Sequence, residues 1–276
     1  MHNELMKYIF LSLIFVSLNC FKAQQTAIDS LKIQCEYSLH YQTDSTDIHS
    51  KDNENFLLFI GKNKSLFLST NKYKRDSIKN SYIKQSSIKM LDLTNFPKTA
   101  FPYKIVKDYV NNNILFYDDI SAKLSVYYTE QPNLIWKISD ETDKIANIDC
   151  NIAYTNYAGR VYKAWYATNI LLPEGPYKFN GLPGLIIKIE DTKGYYKFEL
   201  ISIKDLSGYK KTIDMENNHI NGKKITKKEY LNAKKNYIDN LGEELRNSGI
   251  FIGADAIKKA QDRAKKKNNP IELKVD

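Results

Sequence analysis

The side chains able to carry chemistry are few and scattered. His40, His49 and His219 are the histidines beyond the first 23 residues, and no pair among them has metal-ligand spacing. Asp44, Asp47, His49, Asp52 and Glu54 crowd one polar stretch with the donors a hard cation prefers. That stretch lacks the glycine and the fixed spacing of a calcium loop. Asp118 and Asp119 are adjacent carboxylates, the residue type of general acid–base work. Neighbours in a strand point to opposite faces, so the pair reads as a turn feature and not as a shared catalytic site. Cys35 and Cys150 could serve as nucleophiles only as exposed, activated thiolates. There is no His-Glu-x-x-His, no Gly-x-Ser-x-Gly and no Walker loop. No catalytic residue, metal or cofactor is assigned on these grounds.

The elements around the two cysteines argue against reactivity. Ile33, Cys35, Tyr37, Leu39 and Tyr41 alternate with polar residues, as do Ile148, Cys150, Ile152 and Tyr154. Such period-two alternation predicts half-buried strands with both thiols turned inward. Two alternatives stay open for them, a Cys35–Cys150 disulfide or two separate buried thiols.

The rest of the chain reads as strands first and helices last. Strands are predicted over 32–41, 56–60 and 65–69, the last two as a hairpin through Gly61–Lys64. Residues 71–100 predict one short helix and a loop. Further strands follow over 105–110, 114–117, 124–129, 134–139, 148–155, 161–168, 185–190 and 195–203. Regular short strands predict an antiparallel sheet that curls or closes. Thr226, with Glu229 three residues on, forms a capping-box pattern that starts a helix expected to run to Arg246. A second helix is expected over 254–267, stopped by Asn268-Asn269-Pro270. The class is therefore mainly β, in the α+β sense: a curved antiparallel sheet or half-barrel with two C-terminal helices.

The N-terminus predicts export. Lys7 and the apolar run from Tyr8 to Leu18 form a signal peptide too short to span a bilayer, with cleavage after Ala23. Lipidation at Cys20 is the alternative, and the residues before it fit a lipobox poorly. The organisation is then a signal peptide over 1–23, an antiparallel β domain over 24–210 and a basic helical segment over 211–276. The periplasm, or secretion beyond it, is the expected location, with no transmembrane segment after cleavage. The net charge is +9; residues 210–276 hold 16 Lys/Arg against 10 Asp/Glu and so supply +6 of it. Charge on a terminal helical region reads as a solvated face, with a weak pull toward anionic membrane surfaces. An exported chain is not expected to bind nucleic acid.

The stretch from Trp136 to Glu190 is the most distinctive. It contains Gly159-Arg160, Ala164-Trp165-Tyr166, Gly175-Pro176 and Gly181-Leu182-Pro183-Gly184-Leu185-Ile186. The hexapeptide resembles the GLPGLI family of secreted Bacteroidetes proteins. Trp136, Cys150, the Ala-Trp-Tyr triplet, Gly-Pro and Asn269-Pro270-Ile271-Glu272 are similar to that family's pattern, and Ile170-Leu171-Leu172-Pro173 departs from it. The resemblance implies export and assigns no activity or cofactor. In physical terms Gly181, Pro183 and Gly184 form a motif turn, with Pro183 second and Gly184 third in a type II turn that needs positive φ there. Trp165, Tyr177 and Phe179 could then line an aromatic ligand shelf, or the aromatics could fill core at a fixed corner. Two functions follow: a non-catalytic binding or accessory protein for an envelope or outer-membrane partner or an apolar or peptidic ligand, or an enzyme with a site in a concave β-sheet pocket.

Overall fold

The computed structural model describes residues 29–84, 96–121, 124–131, 134–209, 222–247, 249 and 251–274. The expected signal peptide, Cys20 and His219 lie outside them. Eleven strands pair antiparallel: β1 (Ile33–Gln42), β2 (Lys51–Ile60), β3 (Lys64–Ser69), β4 (Lys104–Asp108), β5 (Asn113–Ser121), β6 (Leu124–Glu130), β7 (Lys137–Ile145), β8 (Ile148–Tyr157), β9 (Arg160–Ala167), β10 (Leu185–Asp191) and β11 (Tyr196–Asp205). A two-residue β12 (Lys223–Lys224) adds in parallel to β6. The order is β12-β6-β5-β4-β3-β2-β1-β11-β10-β9-β8-β7, one open sheet whose end strands do not meet.

Local chemistry sets most of these elements. In β1, Cys35, Tyr37, Leu39 and Tyr41 are buried and the residues between them are not, as the alternation requires. Ala158 and Gly159, both at positive φ, make the two-residue turn between β8 and β9, and Ala146 and Asn147 do the same between β7 and β8. Asp118 and Asp119 sit inside β5, not in a turn, because their strand runs on to Ser121. Their side chains do diverge: Asp118 is buried, whereas Asp119 is exposed.

One face of the sheet carries the main core. Phe56, Phe67 and Phe198 pack there at 4.9–6.0 Å between ring centroids. A smaller core of Leu57, Phe59, Leu66, Leu68 and Val106 lies on the other face. Helix α1 (Thr70–Lys84) packs beside it, with Tyr73 against Phe59 at 5.4 Å. The capping box forms as expected, Thr226 with Glu229, and opens α2 (Lys227–Asp239). The helix expected to reach Arg246 instead ends at Asn240, whose backbone and side-chain amides both bond to Asn236 O. A separate α3 (Leu241–Asn247) follows and buries Leu241. Helix α4 (Ala254–Lys266) is the last. Among the described residues, no helix is long and apolar enough to cross a membrane.

Candidate functional site

The connection from β9 to β10 turns into the curl of the sheet and plugs it. Gly181 N–H donates to Pro173 O at 3.0 Å, and Glu174 bridges Asn180, which closes residues 173–181 into a compact loop. Phe179 at its tip meets Tyr157 of β8 and Tyr162 of β9 at 5.5 and 4.7 Å. Lys178 beside it lies over Phe116 of β5 and Tyr128 of β6 at 5.0 and 5.4 Å. Strands from opposite halves of the sheet thus touch neighbouring residues of one loop, so the sheet must curl around it.

The loop is held by buried ions. Lys107 of β4 donates to Glu174 at 2.7 Å, to Gly175 O at 2.7 Å and to Phe179 O at 3.0 Å. Burial lowers the Lys107 ammonium pKa, and Glu174 opposes that shift. Ile186 N–H donates to Glu174 O at 2.9 Å, and the Tyr37 hydroxyl donates to Ile186 O at 2.7 Å. The end of the hexapeptide is therefore fastened where β10 has parted from β11; the two strands pair only over Lys188–Glu190.

A second cluster joins the loop to the C-terminal tail. Lys178, fully buried, pairs with Glu130 and with Glu272 at 2.6 Å. Lys227, at the start of α2, pairs with the same two carboxylates at 3.2 and 2.7 Å. Tyr157 donates to Glu272 at 3.0 Å and Tyr177 donates to it as well. Burial alone would raise the Glu272 carboxyl, but Lys178 and Lys227 overcome it and hold it at about 2. Arg160 then clamps the tail upstream, reaching Asp191 at 3.1 Å, Asn269 Oδ1 at 2.5 Å and the carbonyls of Pro270 and Ile271 at 2.6 and 3.2 Å. The tetrapeptide Asn269–Glu272 and the loop over residues 173–181, 88 or more residues apart, form one structure.

The glycines act differently from the turn expected of them. Positive φ belongs to Gly181, at 87°, and not to Gly184. Gly184 is required by crowding: a Cβ there would lie 2.2 Å from Ala167 O. The backbone that approaches it belongs to the end of β9.

The three shelf residues do not assemble. Tyr177 and Phe179 are buried inside the curl. Trp165, three residues from Tyr162 in a regular strand, faces the other side of the sheet. It donates to Asp143 at 3.0 Å and carries Lys188 over its ring at 4.1 Å. The cysteines are also parted by the sheet. Both are free and buried; Cys150 shares the Trp165 side, whereas Cys35 faces the loop near Lys107 and Glu174. Burial pushes the Cys35 thiol up to about 12 and raises that of Cys150.

The remaining acidic candidates are spent on local structure. Asp44 accepts from Thr46 and from Asn268, Asp47 caps a short 3-10 turn, and Glu54 accepts from Ser69, Thr99 and the Ala100 amide. Asp118 accepts from Tyr230 at 2.7 Å and Lys234 at 2.8 Å, anchoring α2. Among the described residues, no three His, Cys, Asp or Glu side chains are placed to hold a metal. A cavity of about 30 Å³ lies beside Lys72, Lys104 and Asp119, and one of about 80 Å³ beside Tyr109, Asn112, Asn113, Gln131 and Asn180.

The ionic residues Lys107, Glu130, Glu174, Lys178 and Lys227 were not singled out by their sequence. A signal existed for two of them. Glu174 and Lys178 are the charged residues in an otherwise apolar, Gly/Pro-rich stretch from Ile170 to Phe179, and charges in such company are buried with partners.

No family model matches the chain, and no curated protein matches it. Solved structures of PNGF-II in the P21 and C2 space groups are similar, with TM-scores of 0.52 and 0.51 at 15% identity. The match covers 75% of this chain and 33% of each PNGF-II chain, so the chain spans about a third of the length of the solved structures it resembles. At that identity the likeness is one of fold: a curled antiparallel sheet that also occurs as part of a larger protein.

Proposed function

We propose that this chain is a non-catalytic accessory protein of the cell envelope, exported through a cleaved signal peptide and allied to the GLPGLI-type secreted proteins. The observation that carries the reading is the filled curl of the sheet. The space where a half-barrel would shelter a ligand or a reaction holds residues 173–181 and the tail at Asn269–Glu272. Its ionisable groups neutralise one another. Glu272, held at about 2, stays ionised near neutrality and has no proton to give, whereas an effective acid or base titrates near the working pH. The buried tyrosines stay protonated and act as donors to it. Such an interior makes a rigid scaffold, and recognition falls to the outer surface and edges. The occurrence of a similar fold as a third of PNGF-II supports a module that works alongside other domains or proteins.

In vivo cross-linking followed by purification from the native envelope tests this. Specific recovery of an envelope protein, with Gln24 as the mature N-terminus by mass spectrometry, is the expected result. Recovery of a tightly held small molecule, or turnover of any substrate by the purified protein, would overturn it.

A further inference from the structure

We infer that the C-terminal helix α4, with Phe251 and Ile252 just before it, forms a docking surface for an anionic lipid bilayer. Three observations converge there. First, Ile257, Ala260, Gln261 and Ala264 form the half-buried stripe of α4 at i, i+3, i+4 and i+7, and this stripe faces the protein. Gln261 donates to Ile238 O and Asp239 O at the end of α2, and Ile257 lies against Gly242 of α3. The opposite side is therefore fixed outward.

Second, that outward side carries an excess of positive charge. Residues 251–267 hold Lys258, Lys259, Arg263, Lys265, Lys266 and Lys267 against Asp255 and Asp262, a net +4. Lys259, Arg263 and Lys266, at i, i+4 and i+7, run along one flank, with Asp255 and Asp262 beside them on the same outward face. Among the described residues, none of the six cations has a carboxylate within 4.0 Å. Asp44 and Asp239 interact with Lys266 and Lys265 across a longer gap. Inside the curl, by contrast, cations are closely paired, as with Lys107, Lys178, Lys227 and Arg160.

Third, Phe251 and Ile252 project just ahead of this helix, 86% and 46% exposed. Exposed apolar side chains beside a basic helix face are the two signals an interfacial anchor combines: hydrocarbon entry and attraction to anionic headgroups. A nucleic acid would engage the cations and leave Ile252 in water. The proposal deepens the envelope reading and rests on it for its role in the cell, but its test needs no partner protein.

The test is co-sedimentation of the mature chain with vesicles of phosphatidylcholine alone or with about a third phosphatidylglycerol. Binding is expected only to the anionic vesicles, weakening as salt rises. Replacing Lys259, Arg263 and Lys266 together by Gln should weaken it about a hundredfold, some fivefold per charge. Phe251→Ser should weaken it several-fold at unchanged charge. These side chains are exposed, so thermal melts should not move; should the triple variant melt early, the Phe251→Ser arm decides alone. Equal binding to neutral vesicles, no binding to either, or full binding by both variants would overturn the proposal. So would retention on a single-stranded oligonucleotide, indifferent to Phe251→Ser, in the absence of vesicle binding. A failure here leaves the cross-linking result untouched, so the two readings fall separately.

Discussion

The interior of the curl and the helix at the C-terminus both carry lysines, yet they use them oppositely. Inside the curl, Lys107 and Lys178 are buried, and each reaches carboxylates and carbonyls or rings within a few ångströms. Along α4, Lys258, Lys259, Lys265 and Lys266 stand in water, unpaired among the described residues. Desolvation explains the contrast. A buried ammonium is tolerated only with a partner that offsets its lost hydration, and the arrangement then fixes position more than it adds stability. A solvated ammonium needs no partner and remains available to something outside the protein. Positive charge in this chain is thus structural inside the curl and free at the C-terminal helix.

The largest effect should come from breaking the interior side of that contrast. Lys178→Met leaves Glu130 and Glu272 with Lys227 as their remaining partner, and loss of one partner of a buried ion pair costs about 3–5 kcal/mol. Urea denaturation should show it, and adding Glu272→Leu to the same chain should restore part of the loss. A second substitution that lowers stability further would mean that the ions do not act as one unit.

Gly184→Ala comes next, because its methyl would collide with Ala167 O; overpacking of this kind costs about 1–3 kcal/mol. Gly181→Ala, strained by positive φ alone, should cost about 1 kcal/mol. If thermal melts reverse that order, crowding at the end of β9 is not what Gly184 relieves.

Acid should separate the two regions by degree. The Glu272 carboxyl is depressed to about 2 in the folded protein, below its unfolded value. Its contribution is therefore present in full above the unfolded pKa and disappears as pH falls from there through about 2. Urea midpoints measured down that window should drop, and Glu272→Gln should flatten the drop. Labelling with a thiol reagent at pH 8 without denaturant should be slow at both cysteines and slowest at Cys35, whose thiol stays protonated until about pH 12. Rapid modification of Cys35 would place it outside the curl. The smallest effect belongs to the exterior: Lys259→Gln and Arg263→Gln should leave the melting temperature where it is, since exposed charges away from buried features rarely matter to stability.

Local patterns were legible along the chain, because each depends on residues a few positions apart. Alternation from Ile33 to Tyr41 marked β1 and the inward side of Cys35. Thr226 and Glu229 marked the start of α2, and Pro270 the end of α4. The strands expected over 148–155 and 161–168 are β8 and β9. What lay beyond reach was every relation set by strand order. Lys178 meets Glu272 across 94 residues, and Lys107 meets Glu174 across 67. Trp165 parts from Tyr177 and Phe179 because strand parity turns it to the far face, and the cysteines part for the same reason. Even at Gly184 the residue type was readable while its cause was not, since Ala167 comes close only after β9 and β10 pair. Spacing along a chain determines which way neighbouring side chains turn; which distant charges end up together is decided by how the whole sheet curls to bury its apolar face.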